Sequence, residues 1–92
     1  MSAVGTVNRR HILKGNSAES LAFRVQLAKN MRFAMGRIGM AWTELAEQVG
    51  CSRERAQHFS TAESCPNAIE LVLIGRVLGV SLDELTKGCV ES

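Results

Sequence analysis

WTELAEQVGCSRERAQHF, residues 42–59, is the stretch that decides the fold of this chain. Leu45, Ala46 and Val49 fall at i, i+1 and i+4 on one face of a helix, and the Gly50 that follows can take the left-handed conformation that ends it. Ser52 stands where an N-cap is needed, its hydroxyl able to accept from the free N–H groups of the next turn. The second helix then carries Ala56 and Phe59 inward at i and i+3, leaving Arg53, Glu54, Arg55, Gln57 and His58 in or near water. A short helix with so little apolar surface and such long polar arms is built to present side chains.

Working outward, the spacing upstream predicts a long helix from about Ala18 to Gly36, capped by Ser17 with Glu19 in its first turn. Phe23, Leu27, Met31, Ala34 and Ile38 recur every three or four residues as its buried stripe, and Met31 and Met35 read as core gap-fillers. Arg24, Lys29 and Arg32 fall towards the polar side. Phe33 fits the stripe poorly, so it is expected to be partly exposed or covered by the residues upstream. Gly36 and Gly39 loosen and end the helix. Residues 1–16 have no helical period and hold a basic cluster, Arg9, Arg10, His11 and Lys14, among Gly5, Asn8, Gly15 and Asn16. They read as an arm, which either follows a phosphate backbone or serves as a solubilising tail.

Downstream, STAESCP, residues 60–66, is a loop ended by the only proline. Asn67 with Glu70 makes a capping box for the most apolar helix, which carries Ile69, Leu71, Val72, Leu73, Ile74, Val77 and Leu78 and stops at Gly79. Apolar residues almost all round predict burial on more than one side, as a central strut or as a strut plus a dimer face. Ser81 with Glu84 repeats the box and starts a last short helix in which Leu82 and Leu85 dock on the core. The tail beyond Gly88 is expected to fray. The expectation is all-α: five helices and no sheet, organised as a flexible arm (1–16), a helical domain (17–87) and a tail (88–92).

Composition is consistent with one small globular domain: 92 residues, 46% hydrophobic and 22% charged, with no internal repeat or low-complexity tract. No apolar run reaches the length that crosses a bilayer, and no signal-peptide pattern opens the chain. Cys51, Cys65 and Cys89 are odd in number and lack C-x-x-C spacing, so they read as reduced thiols in a cytoplasm. No metal or cofactor is expected, although zinc held by these cysteines with His11 or His58 is the arrangement to test. The net charge of +2 hides a polarised distribution, since residues 1–40 carry +6 and residues 41–92 carry −4. Such a chain has an electropositive side able to attract phosphates, or else a solvated helix face.

The order of these parts resembles the lambda-repressor-like helix-turn-helix family of Cro, CI and Xre-type regulators. The resemblance runs from about Leu27 to Leu85. It rests on Met31-Arg32, Gly39, Leu45-Ala46, Gly50-Cys51-Ser52, Pro66-Asn67 and the closing Leu78-Gly79-Val80-Ser81-Leu82-Asp83-Glu84-Leu85, the most specific piece. Many members pair an arginine late in helix one with a glutamate after the recognition helix; Met35 and Ser60 stand there, so both charges are missing together, a change that can be nearly neutral. Ala56 replaces the usual inward isoleucine and Phe59 occupies the next inward position, keeping volume roughly level. Trp42 stands at a position commonly held by a phosphate-contacting glutamine, where its indole N–H donates one hydrogen bond or its ring packs. The loop before Pro66, often basic in the family, offers Glu63.

The resemblance implies a sequence-specific DNA-binding transcriptional regulator, of the phage or mobile-element repressor type, reading the major groove with helix 52–60 as a homodimer on a pseudo-palindromic operator. The expected DNA-contacting set is Trp42, Thr43, Ser52, Arg53, Glu54, Arg55, Gln57 and His58, with Arg9 and Arg10 from the arm. Arg53 suits the O6 and N7 of guanine, Glu54 the N4 of cytosine and Gln57 the edge of adenine. His58 donates to a base or phosphate, and Arg55 reaches a phosphate or pairs with a nearby acid. The dimer is expected to use helix five with the loop before it, or the exposed side of helix four. Catalysis is not expected: no glycine-rich phosphate loop, nucleophile elbow or triad pattern is present. The rival is a protein-binding module on the same fold, such as an antitoxin, polymerase adaptor or inhibitor, because fold does not fix function.

Overall fold

Apolar spacing and caps divide the chain into helices, and the computed structural model, which describes residues 18–90, is all-helical among those residues. The helices are α1 (Ala18–Ile38), α2 (Trp42–Val49), α3 (Arg53–Ser60), α4 (Ala68–Leu78) and α5 (Leu82–Leu85). They close into a compact body around Leu27, Met31, Ala34 and Met35 of α1, Leu45 and Val49 of α2, Phe59 of α3, Ile74 and Leu78 of α4, and Leu85 of α5. The expected arm with Arg9 and Arg10, and the expected cap Ser17, lie outside the described residues.

At 21 residues, or about 30 Å, α1 is the beam on which the others rest. It continues through Gly36 and ends only where Gly39 turns left-handed (φ 68°), with Met40 N–H donating to Met35 O at 3.0 Å. That bond folds Met40 back onto the core, so Met35 and Met40 cover the space beneath this end of the helix. Ile38, expected in the buried stripe, is therefore 52% exposed. Phe33 is exposed and Phe23 half-buried.

In α4 only Ile74, Gly75 and Leu78 are fully buried. Ile69 and Val72 face outward, so within one chain the helix is not buried all round. Leu82 also departs from expectation. α5 is a single turn anchored at its C-terminal end, so Leu85 is buried while Leu82, at its start, stands 45% exposed. The anchor is Asn30 of α1, whose Nδ2 donates to Leu85 O at 2.8 Å and Lys87 O at 2.9 Å, while its Oδ1 accepts from Gln26 at 2.9 Å. Beyond it Cys89 packs against the core rather than fraying. Asn30→Ala is expected to cost about 1–2 kcal/mol through the two lost hydrogen bonds, since water can reach the Lys87 carbonyl. Urea unfolding measures the loss, and amide exchange should quicken first in α5.

Candidate functional site

The short α3 helix buries only Ala56 and Phe59, so its position depends on what grips it. At its start, Gly50 (φ 87°) reverses the chain after α2, its N–H donating to Ala46 O at 2.9 Å. Ser52 Oγ then accepts from Arg55 N–H at 3.0 Å, the cap its position predicts. On the far side Phe59 enters the core, with the Arg55 guanidinium 5.0 Å from its ring centroid.

Arg55 is paired although part of its side chain stays open to water. Its Nε and Nη2 donate to the two oxygens of Glu70 at 2.6 and 2.7 Å. The same carboxylate accepts from Asn67 N–H at 2.9 Å, while Asn67 Oδ1 accepts from Glu70 N–H at 2.8 Å. One side chain thus completes the N-terminal cap of α4 and ties α3 to it. Of the two expected uses of Arg55, a phosphate or an acid, the structure has the acid.

Two further arginines hold the C-terminal end of α3. Arg32 donates to Ser60 O at 3.0 Å, and Arg24 donates to Ala62 O at 2.7 Å and to Ser20 Oγ at 2.6 Å. Carbonyls at a helix C-terminus lack intrahelical donors and carry partial negative charge, so cations are favoured there. These contacts make a link between α1 and α3 where Met35 and Ser60 stand in place of a charged pair. Ala62 itself adopts a positive φ of 65°, a conformation an alanine gives no sequence signal for. His58 lies 3.3 Å from Glu63, so part of its hydrogen-bonding capacity faces the loop.

The outward flank holds Arg53, Glu54 and Gln57, all exposed. Among the described residues their side chains form no hydrogen bond or ion pair. Arg53 and Gln57 are one helical turn apart, and Glu54 is three residues before Gln57, so the three share a surface. Together they offer guanidinium donors, a carboxylate acceptor and an amide that does both. Thr43 at the start of α2 is exposed, whereas Trp42 is half-buried and packs its ring on the core. Ser52 is exposed but its oxygen is engaged in the cap. Arg9 and Arg10 lie outside the described residues. The acceptors of Arg24 and Arg32, and Glu70 as the acid that Arg55 takes, were not legible, because donor and acceptor lie 15 to 38 residues apart.

Hydrogen bonds from Arg55 hold the Glu70 carboxyl below its usual 4.5, helped by the Asn67 N–H and opposed by partial burial. The sign follows: a carboxylate depressed in the folded state contributes stability that is complete above pH 4.5 and is lost as pH falls through the folded value. Glu70→Gln should remove that component, so the stability gap between wild type and variant narrows on acidification below 4.5; urea titrations at a series of pH values measure it. Burial pushes the Cys51, Cys65 and Cys89 thiols up, keeping them protonated near neutrality. No group of three or more His, Cys, Asp or Glu among the described residues is placed to hold a metal ion. No helix among them is long and apolar enough to cross a membrane.

Set against protein-family models, curated proteins and solved structures, the chain matches none.

Proposed function

We propose that this chain is a lambda-repressor-like helix-turn-helix protein, a transcriptional regulator that reads the DNA major groove with α3 and binds as a homodimer. The observation that carries the reading is the division of labour on α3. Arg55 and Phe59 are spent on holding the helix, while Arg53, Glu54 and Gln57 stand outward with their hydrogen-bonding groups available to a ligand. With its side chains an α-helix is about 10–12 Å across, and a major groove about 12 Å wide admits one. Thr43 at the start of α2 and Ser52 at the start of α3 are exposed, and their hydroxyls suit phosphate oxygens. Arg55, bound bidentately to Glu70, positions the helix and does not read bases. Arg9 and Arg10 add phosphate contacts from the arm, and His58 a contact at the edge.

A mobility-shift series tests the reading. Affinity for a site selected from random duplexes should fall steeply with salt, because bound cations release counterions from the DNA. Arg53→Ala should cost about 1–3 kcal/mol at one base position and relax specificity there, whereas Arg10→Ala should weaken every sequence alike. Binding that is absent at low salt would contradict it.

The second reading, a protein-binding module, draws on Ile69 and Val72, two exposed apolar side chains on α4. Capture of a protein by this face, lost in Ile69→Ser, together with no binding of duplex DNA, would favour it.

A further inference from the structure

Phe33 stands 70% exposed on α1, and nothing in the reading of α3 accounts for it. Lys29, Phe33 and Arg37 follow one another at i, i+4 and i+8, so they form a single stripe about 12 Å long on the outer side of the helix. The Arg37 guanidinium lies over the ring, 5.5 Å from its centroid. Beside the stripe, between α1 and the end of α5, runs an open groove of about 480 Å³ with Val80, Leu85 and Lys87 in its lining. Lys29, Arg37 and Lys87 are exposed, and among the described residues their side chains form no hydrogen bond or ion pair. Glu84, the acid on the lining, is turned to its own helix, its carboxylate accepting from Ser81 N–H at 3.3 Å.

An apolar recess framed by three unpaired cations and a projecting ring selects its occupant by charge. Residues 1–16 carry Arg9, Arg10 and Lys14 and no acid, so they have the same sign as the face. A second copy would bring cations against cations. The groove is too open to enclose a small molecule, most of whose surface a ligand pocket buries. It suits a chain segment of opposite charge lying along it, with apolar side chains at helical spacing for the groove and carboxylates for the rim. We propose that the α1–α5 face, centred on Phe33, receives an acidic amphipathic helix of another protein. About two to three turns of such a helix span the stripe. Phe33 and the groove supply the burial, whereas Lys29, Arg37 and Lys87 steer and orient the partner. No residue of α3 lines the groove, so the contact does not depend on the DNA-reading proposal.

Selection on the immobilised full chain from a pool of random peptides, each long enough for about three helical turns, tests this. The recovered peptides should be acidic, with apolar residues three or four apart. Their affinity, read by fluorescence polarisation, should fall as salt rises, because exposed charges are screened. Arg37→Glu should weaken binding about tenfold, and one acid-to-lysine change in the peptide, found by scanning, should recover most of the loss, since paired charges at an interface are coupled. Phe33→Ser, an exposed change that leaves the helical circular dichroism spectrum intact, should weaken it about thirtyfold or more, as loss of an aromatic anchor does. Peptides with no excess of acid, an affinity indifferent to Phe33→Ser, or a loss caused instead by Ile69→Ser on α4 would overturn the proposal. So would self-association of the wild type that Phe33→Ser abolishes, which gives the face to a second copy. Overhauser contacts from the Phe33 ring to residues 1–16 in the free protein would overturn it too, by giving the groove to the chain's own N-terminal segment.

Discussion

Phe59→Ala is expected to remove about 3–5 kcal/mol of folding stability, the range for truncating a buried phenylalanine. The ring is 2% exposed and is the only large apolar group α3 places in the core. Its neighbour Ala56 is already small, so no side chain on α3 can expand into the void. A chain of this size has roughly 5–14 kcal/mol of total stability, and the variant loses a large part of it. Denaturant unfolding followed by circular dichroism measures the loss. Phe33→Ala is the control: that ring is 70% exposed, so the change should stay within about 0.5 kcal/mol. Equal effects at the two positions would mean that α3 is not packed as described.

The second large effect is expected at Glu70. Replacing it with alanine removes the acceptor for Asn67 N–H and for two guanidinium donors of Arg55 in one step. Loss of its share of the capping box costs about 0.5–2 kcal/mol. The unpaired arginine adds a smaller penalty than a fully buried charge would, because its side chain is 38% exposed and water can reach it. The sum is about 1–3 kcal/mol. Arg55→Ala should cost less, since the cap of α4 survives. A double-mutant cycle between the two, read by urea unfolding, should give a clear coupling energy; additivity within about 0.3 kcal/mol would show that the pair does not act as a unit. Under the proposed function, both variants should also weaken DNA binding while leaving the base preference set by Arg53 in place.

Much of this architecture can be read from local pattern, because its signals act over three or four residues. Gly50, Ser52, Asn67 with Glu70, and Ser81 with Glu84 sit at helix ends where their chemistry requires them, and the structure has those caps. Leu45, Ala46, Val49, Ala56 and Phe59 are buried as their spacing predicts. What pattern missed depends on tertiary closure. Ile38 follows the helical period faithfully, yet the core has already been closed beneath it by Met40. Leu82 belongs to a helix too short to bury both its leucines, and Ile69 lies on a helix whose composition overstates its burial. The acceptors of Arg24 and Arg32 lie far off in sequence, so no local reading could find them; Arg55 was expected on a phosphate or an acid, and the choice of Glu70 depends on α3 meeting α4. At the candidate site the polar flank and the Ser52 cap were legible; that Arg55 takes the acid rather than a phosphate was left open.

The most direct test is an amide chemical-shift map of the labelled protein titrated with duplex DNA at low salt. The largest changes should fall at Arg53, Glu54 and Gln57, with smaller ones at Thr43 and Ser52, while Ile69 and Val72 on α4 stay unmoved. Shifts confined to α4, or no shifts at any DNA concentration, would contradict it.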